Sequence, residues 1–248
     1  YLMIDVANNF GYDKEDWDVR LKWFQDNEPH LESLLNQADE PALYFASVKA
    51  YRDVQKGLPI GYTVGLDATS SGLQILACLT GDRSAAELCN VVDTGHRQDA
   101  YTNIYNLMLQ RSGGNAKINR TDTKQAIMTA FYCSTAMPKK IFGEGELLAL
   151  FYDILKEFCP AAWELNETMK DLWNPTAYSH NWVLPDNFHV QTKVMDTFTD
   201  RVIFDEAPLD VSFKINRPMP EGRSLGANMT HSIDGMIVRE IVRRCSYD

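Results

Sequence analysis

Between Arg120 and Tyr132 the chain reads RTDTKQAIMTAFY, and Arg120, Lys124, Met128 and Tyr132 recur in it every four residues. On a helix that spacing stacks them into one ridge, so that two cations and a phenol face one ligand. Upstream, GLDATSSGLQ gives Asp67 a strand-like approach; downstream, NMTHSIDG carries His231. An acidic, a cationic and a His-containing element thus follow one another along the chain. Taken singly, each residue also fits a plainer role. Asp67 suits a turn or helix cap, the two cations a solvated helix face, Tyr132 a core or interface, and His231 a cap or core position.

The elements that must position these groups can be read from periodicity and punctuation. Apolar residues at Trp17, Leu21, Phe24, Leu31, Leu34 and Leu35 predict a helix over 15–38, with breaks near Pro29 and Pro41, and a further helix is expected at 42–55. GYTVGLD (61–67) alternates as a strand that ends in Asp67, and SSGLQILACL (70–79) reads as a helix begun by Ser70 or Ser71 and closed at Gly81. Helices are expected at 97–111, at 119–137 with Pro138 as its stop, at 145–158 and at 160–173. From Trp182 to Asn216 the short alternating runs NFHVQTKV, DRVIF and DVSFKI suggest antiparallel strands. A Pro/Gly loop over 218–226 then leads to an amphipathic helix with Ile233, Ile237, Ile241 and Val242 on one side. Helices around a few strands, without βαβ alternation, make a helix-rich α+β fold.

Bulk properties narrow the function classes. A chain of 248 residues, 45% hydrophobic, can bury a sizeable core in one large domain or two small ones. Its net charge of −10 opposes a protein that coats nucleic acid indiscriminately. The charge is uneven, however. Residues 13–40 hold nine Asp or Glu against three Lys or Arg and read as a solvated helical face; residues 111–140 hold six Lys or Arg against Asp122 alone. A local basic groove inside an acidic exterior fits an enzyme with a polyanionic substrate. Five widely spaced cysteines, with no CxxC pair, predict reduced thiols, no disulfide and no zinc site. No signal segment or membrane-length apolar run is visible, so a soluble protein without a membrane partner is expected.

Together GLDATSSGLQ, the RTDTKQAIMTAFY ridge, YLMIDVANNFGYDK at the start, WVLPDNFHVQ (182–191) and LGANMTHSIDG (225–235) resemble the single-subunit, phage-type DNA-dependent RNA polymerase family, essentially from end to end. The resemblance implies right-hand polymerase palm and fingers, with residues 1–95 as the first part of the palm, 96–230 as fingers and 231–248 as a return helix toward the palm. Asp67, with the backbone carbonyl of Ala68, would hold Mg2+. Lys14, Arg120 and Lys124 would bind the triphosphate, and Tyr132 and His231 would place and select the ribonucleotide. Family A DNA polymerases share the Asp strand and the Arg/Lys/Tyr helix, but carry a Glu five residues after the Asp that blocks the 2′-hydroxyl. Here that place is Gly72, which leaves room for a ribose.

The expected partners are therefore a DNA template, the RNA product and ribonucleoside triphosphates, with strands within 187–216 touching template or promoter. Two positions depart from the family pattern: Cys133 replaces the Gly that usually follows the Tyr, and Gln125 stands where a second basic residue is common. No segment matches the final palm motif with its second catalytic Asp, the Asp-x-Arg-Gly-Arg segment, the thumb or the amino-terminal promoter-binding region. Asp234 matches a residue of the His-Ser element and does not replace that Asp. A fragment or one subunit of a split enzyme is expected, completed by a continuation or second subunit that supplies the second Asp. The expected setting is the cytoplasm of an infected bacterial host, or alternatively an organelle matrix. The competing expectations are a noncatalytic, polymerase-like scaffold that binds nucleic acid or another subunit, and a DNA-synthesising relative.

Overall fold

The computed structural model describes residues 1–65, 70–114, 118–222 and 224–245. Two compact units divide the chain: residues 1–68 with 95–97, and residues 69–94 with 98–248. This division by compactness, near residue 68, is distinct from the functional boundary drawn at 95 by resemblance.

In the first unit, α1 (Leu2–Ala7) runs into a wide turn over Asn8–Tyr12, where Gly11 takes a φ of +128°. That positive φ calls for glycine; a Cβ there would also meet the tip of the Asp39 side chain, Oδ2, at 2.8 Å. The expected 15–38 helix forms as α2 (Trp17–Asn27), and from Glu28 to Gln37 the chain tightens into 3-10 geometry with Pro29 near its start. Then α3 (Pro41–Gln55) packs Tyr44 and Val48 against Val6, Phe24 and Leu31. The acidic 13–40 stretch is not solely a solvated face, because Arg20 is buried within it. Its guanidinium donates to Glu15 O at 2.7 Å, Asn8 Oδ1 at 2.8 Å and Asp13 O at 2.8 Å, clasping the loop that carries Lys14. Burial, followed by the nearby Arg97, pulls the Arg20 pKa down from its ordinary value.

The strand expected at 61–67 does not form over 61–65, and Leu66 and Asp67 lie outside the described residues. Alternation supplies only half of what a strand needs; the other half is a ladder partner. The segment is tied instead by a buried carboxylate. Asp5 Oδ2 accepts from Tyr62 Oη at 2.6 Å, and Asp5 Oδ1 accepts from the Gly65 backbone N–H at 3.0 Å. Burial, and then the bond to Asp5, pushes the Tyr62 phenol up to about 12.

The second unit is a helical assembly with two separate two-stranded antiparallel sheets among its described residues. Its helices are α4 (Ser71–Thr80), α5 (Arg83–Leu88), α6 (Ala100–Arg111), α7 (Arg120–Ala130), α8 (Ala136–Phe142), α9 (Glu146–Phe158) and α10 (Pro160–Asp171). Gly81 closes α4 in the left-handed conformation, as its sequence position predicts. Leu73, Leu76, Ile104, Met108, Ile127, Phe131, Phe151, Ile154 and Leu155 make the core.

The strands are β1 (Ser179–Val183) paired with β2 (His189–Lys193), and β3 (Met195–Phe204) paired with β4 (Ala207–Asn216). The β3–β4 hairpin turns at Asp205 and Glu206, both with positive φ, and leaves Ile203 and Phe204 about three-quarters exposed. Finally α11 (Ser224–Arg244) packs on α4 and α10. It begins inside the loop expected at 218–226 because Leu225 and Gly226 are drawn into the core. The apolar positions Ile237, Ile241 and Val242 remain exposed on it.

The helix expected over 119–137 is two helices. α7 stops at Ala130, and Cys133 adopts a φ of +63°, which a helix cannot accommodate. Pro138 therefore does not stop a helix but sits in the first turn of α8, where its missing N–H costs no intrahelical bond. Cys133 is held there by its surroundings. Its buried thiol lies 3.2 Å from Asn166 Oδ1, and Asn166 Nδ2 in turn donates to Ala130 O at 3.1 Å.

Candidate active site

The cationic ridge begins at a well-made helix N-terminus. Asn119 caps α7 by accepting from the Asp122 N–H at 2.9 Å, so Arg120 occupies the first helical position and Lys124 the next turn. The positive end of the helix dipole adds to these two side chains in attracting an anion. Lys124 and Met128 are exposed and Arg120 is half-buried.

Both cations lean on the start of α6. Arg120 Nη2 donates to Asp99 Oδ2 at 2.5 Å and its Nε to Thr102 Oγ1 at 2.7 Å, while Lys124 Nζ stands 5.4 Å from the centre of the Tyr101 ring. Asp99 is also the N-cap of α6 and accepts from the backbone N–H groups of Tyr101 and Thr102. Burial alone would raise the Asp99 carboxyl, but hydrogen bonds from Thr102 and Arg120 hold it below the usual carboxylate range.

Tyr132 follows the end of α7 and stands in the turn, not on a continuous helical ridge with Lys124. At a rise of about 1.5 Å per residue, some three turns of helix separate it from Arg120. Two distant segments meet around its ring. Gly72, buried in the first turn of α4, offers its bare Cα: a Cβ there would lie 3.1 Å from Tyr132 Cζ and 3.2 Å from its Oη. His231 from α11 places its ring 5.0 Å from that of Tyr132, tilted by 54°. Ser71 Oγ reaches Asp234 Oδ2 at 3.4 Å, and Trp182 Nε1 of β1 donates to Ser232 Oγ at 3.1 Å beside His231. The sequence motifs around 72, 132 and 231 therefore converge on one phenol.

Lys14 is exposed on the clasped loop of the first unit. Asp67 and Ala68, the expected metal ligands, lie outside the described residues. Among the described residues no group of three His, Cys, Asp or Glu is arranged to hold a metal ion. A carboxylate and a backbone carbonyl are nevertheless hard oxygen donors of the kind magnesium takes. All five cysteines are free thiols; burial pushes Cys89 and Cys133 up to about 11 and Cys159 to about 12, so these three are poor nucleophiles at neutral pH.

Sequence reasoning missed Asp99, Tyr101 and Thr102. An Asp just ahead of a helical period was a visible capping signal, but nothing in the spacing showed that this cap also receives Arg120.

The sequence model of the DNA-dependent RNA polymerase family matches residues 1–147, which include Lys14, Asp67, Gly72, Arg120, Lys124 and Tyr132 but not His231 or the hairpin. A probable DNA-directed RNA polymerase of Neurospora crassa is 30% identical over 114 residues, which cover 42% of this chain and 13% of that protein. The matched region is thus a small part of that relative's length. No described helix is long and apolar enough to cross a membrane.

Proposed function

The chain belongs to the DNA-dependent RNA polymerase family, and from that premise we propose that it performs the nucleotidyl-transfer step of DNA-templated RNA synthesis, as a catalytic-core portion of a phage-type polymerase. The observation that carries this reading is the meeting of Gly72 and His231 around the Tyr132 ring, with Arg120 and Lys124 toward the far end of the helix leading to it. A nucleoside triphosphate has the matching polarity, with its sugar at one end and its polyanion at the other.

In this reading Arg120, Lys124 and the N-terminus of α7 bind the phosphates and stabilise the charge that builds on the departing pyrophosphate. Lys14 adds a further cation. Tyr132 and His231 place the ribose, and Gly72, lacking a side chain, leaves space for its 2′-hydroxyl. Asp67 and the Ala68 carbonyl would hold Mg2+, which when bound, in a two-metal arrangement, lowers the barrier by stabilising both attacking and leaving oxygens. The second carboxylate comes from a continuation of the chain or a second subunit. Residues 1–95 serve as palm, 96–230 as fingers and 231–248 as the return toward the palm. The setting is an infected bacterial cytoplasm or an organelle matrix.

The β3–β4 hairpin is the proposed contact with template or promoter. Residues 195–217 carry five acids against three bases, so its useful contacts are to base edges rather than to phosphates.

The test is primer extension on a DNA template by the complete polymerase containing this chain. Ribonucleotides should support extension and deoxyribonucleotides should not; Asp67→Asn should slow it by about 10³-fold with unchanged circular dichroism. An unaltered rate would favour the noncatalytic scaffold, and efficient use of deoxyribonucleotides would favour the DNA-polymerase alternative.

A further inference from the structure

The two cations of α7 share one seat, formed by Asp99, Tyr101 and Thr102 at the start of α6. Arginine's planar fork carries five N–H donors, and Asp99 and Thr102 engage two of them, at Nη2 and Nε. Three N–H donors of the fork are then left to offer an anion, including both on Nη1. Asp99 cannot swing with the arginine, because its carboxylate is pinned to its own helix. Oδ1 accepts from the N–H of Tyr101 at 3.0 Å and of Thr102 at 3.1 Å, and Oδ2 accepts from Thr102 Oγ1 at 2.7 Å.

We propose that Asp99 is a positioning residue for triphosphate binding: with Thr102 it grips one edge of the Arg120 guanidinium and aims the other at the phosphates. This rests on Arg120 being a triphosphate ligand. The charge of Asp99 is already neutralised by the guanidinium it holds, so its repulsion of the incoming nucleotide is small. Losing it chiefly releases a long side chain into many rotamers, which binding must then order again.

Helix capping and arginine positioning can be separated by one atom. Asp99→Asn keeps an N-cap of equal quality but abolishes the ion pair. Binding of radiolabelled ATP to the full chain is measured by equilibrium dialysis in EDTA, so that metal-mediated contacts do not contribute. Affinity should fall roughly two- to five-fold in Asp99→Asn, the range expected for a partly exposed ion pair, while the thermal midpoint stays at its wild-type value. Thr102→Val, which leaves the cap carboxylate in place, should weaken ATP binding in the same direction, and it carries the test should Asp99→Asn prove less stable. Wild-type or tighter ATP affinity in both variants, alongside weakened binding in Arg120→Ala, would overturn the proposal and leave Asp99 as a cap alone. Unchanged binding in Arg120→Ala would instead overturn the assignment of Arg120 itself, and the positioning role would fall with it.

Discussion

Asp82 and Asp99 occupy the same local position, one residue ahead of a helix, and are used in opposite ways. Asp82 is buried, and N–H groups and the Ser84 hydroxyl hold its carboxylate. Its Oδ1 accepts from the Ala85 N–H and its Oδ2 from the N–H groups of Ala161 and Ala162, each at 3.0 Å, so that one carboxylate joins the starts of α5 and α10. Asp99 is half-exposed, caps one helix and spends its remaining capacity on a cation at the edge of the site. The difference teaches where rigidity is placed. A carboxylate that answers backbone donors and a neighbouring hydroxyl fixes architecture, whereas one that also answers a long arginine side chain can set a ligand's seat without bearing the fold.

Breaking the buried member should have the largest effect. Asp82→Ala strands three N–H donors in the core and should cost about 3 kcal/mol, read from urea denaturation. The contrast sharpens with pH. Burial would raise the Asp82 carboxyl, but the N–H groups of Ala162 and Ala85 and the Ser84 hydroxyl outweigh it, so its folded pKa lies below the ordinary value. Its stabilisation is therefore complete above an unfolded pKa of about 3.9 and fades as pH falls through the folded value. Acid titration of stability should be steeper in the wild type than in Asp82→Asn.

Next in size is Gly72→Ala, whose new methyl must displace the Tyr132 ring by a few tenths of an ångström. About 1 kcal/mol of stability should be lost, and the KM for ribonucleotides should rise, which Asp82 variants should not reproduce. Smallest is Asp99→Asn, expected to change stability by less than about 0.5 kcal/mol while still weakening ATP binding. A large loss of stability in Asp99→Asn would erase the distinction between the two caps.

Much of this was written locally in the chain. The four-residue spacing located α7, Gly81 marked the end of α4, and the alternating runs located the antiparallel strands. What local pattern could not express was partnership. The end of α7 depends on Cys133 being held by Asn166, 33 residues away. The 61–65 segment reads as a strand but is anchored by Asp5 from the opposite end of its unit. The short helix α5 was not expected from the sequence, and the bond of its cap Asp82 to α10 spans about 80 residues and left no periodic trace. Of the site, Gly72, Tyr132 and His231 were nameable from resemblance, while the seat beneath Arg120 required the packing of α6 against α7.

The thiol at position 133 also limits its neighbour across the packing. A Cβ placed on Gly226 would lie 2.2 Å from Cys133 Sγ but 3.3 Å from its Cβ, so the sulfur rather than the backbone is what keeps α11 bare there. The two positions are therefore coupled: a methyl at 226 asks for the removal of an atom 93 residues away in the chain, and the pair behaves as one site with a shared volume.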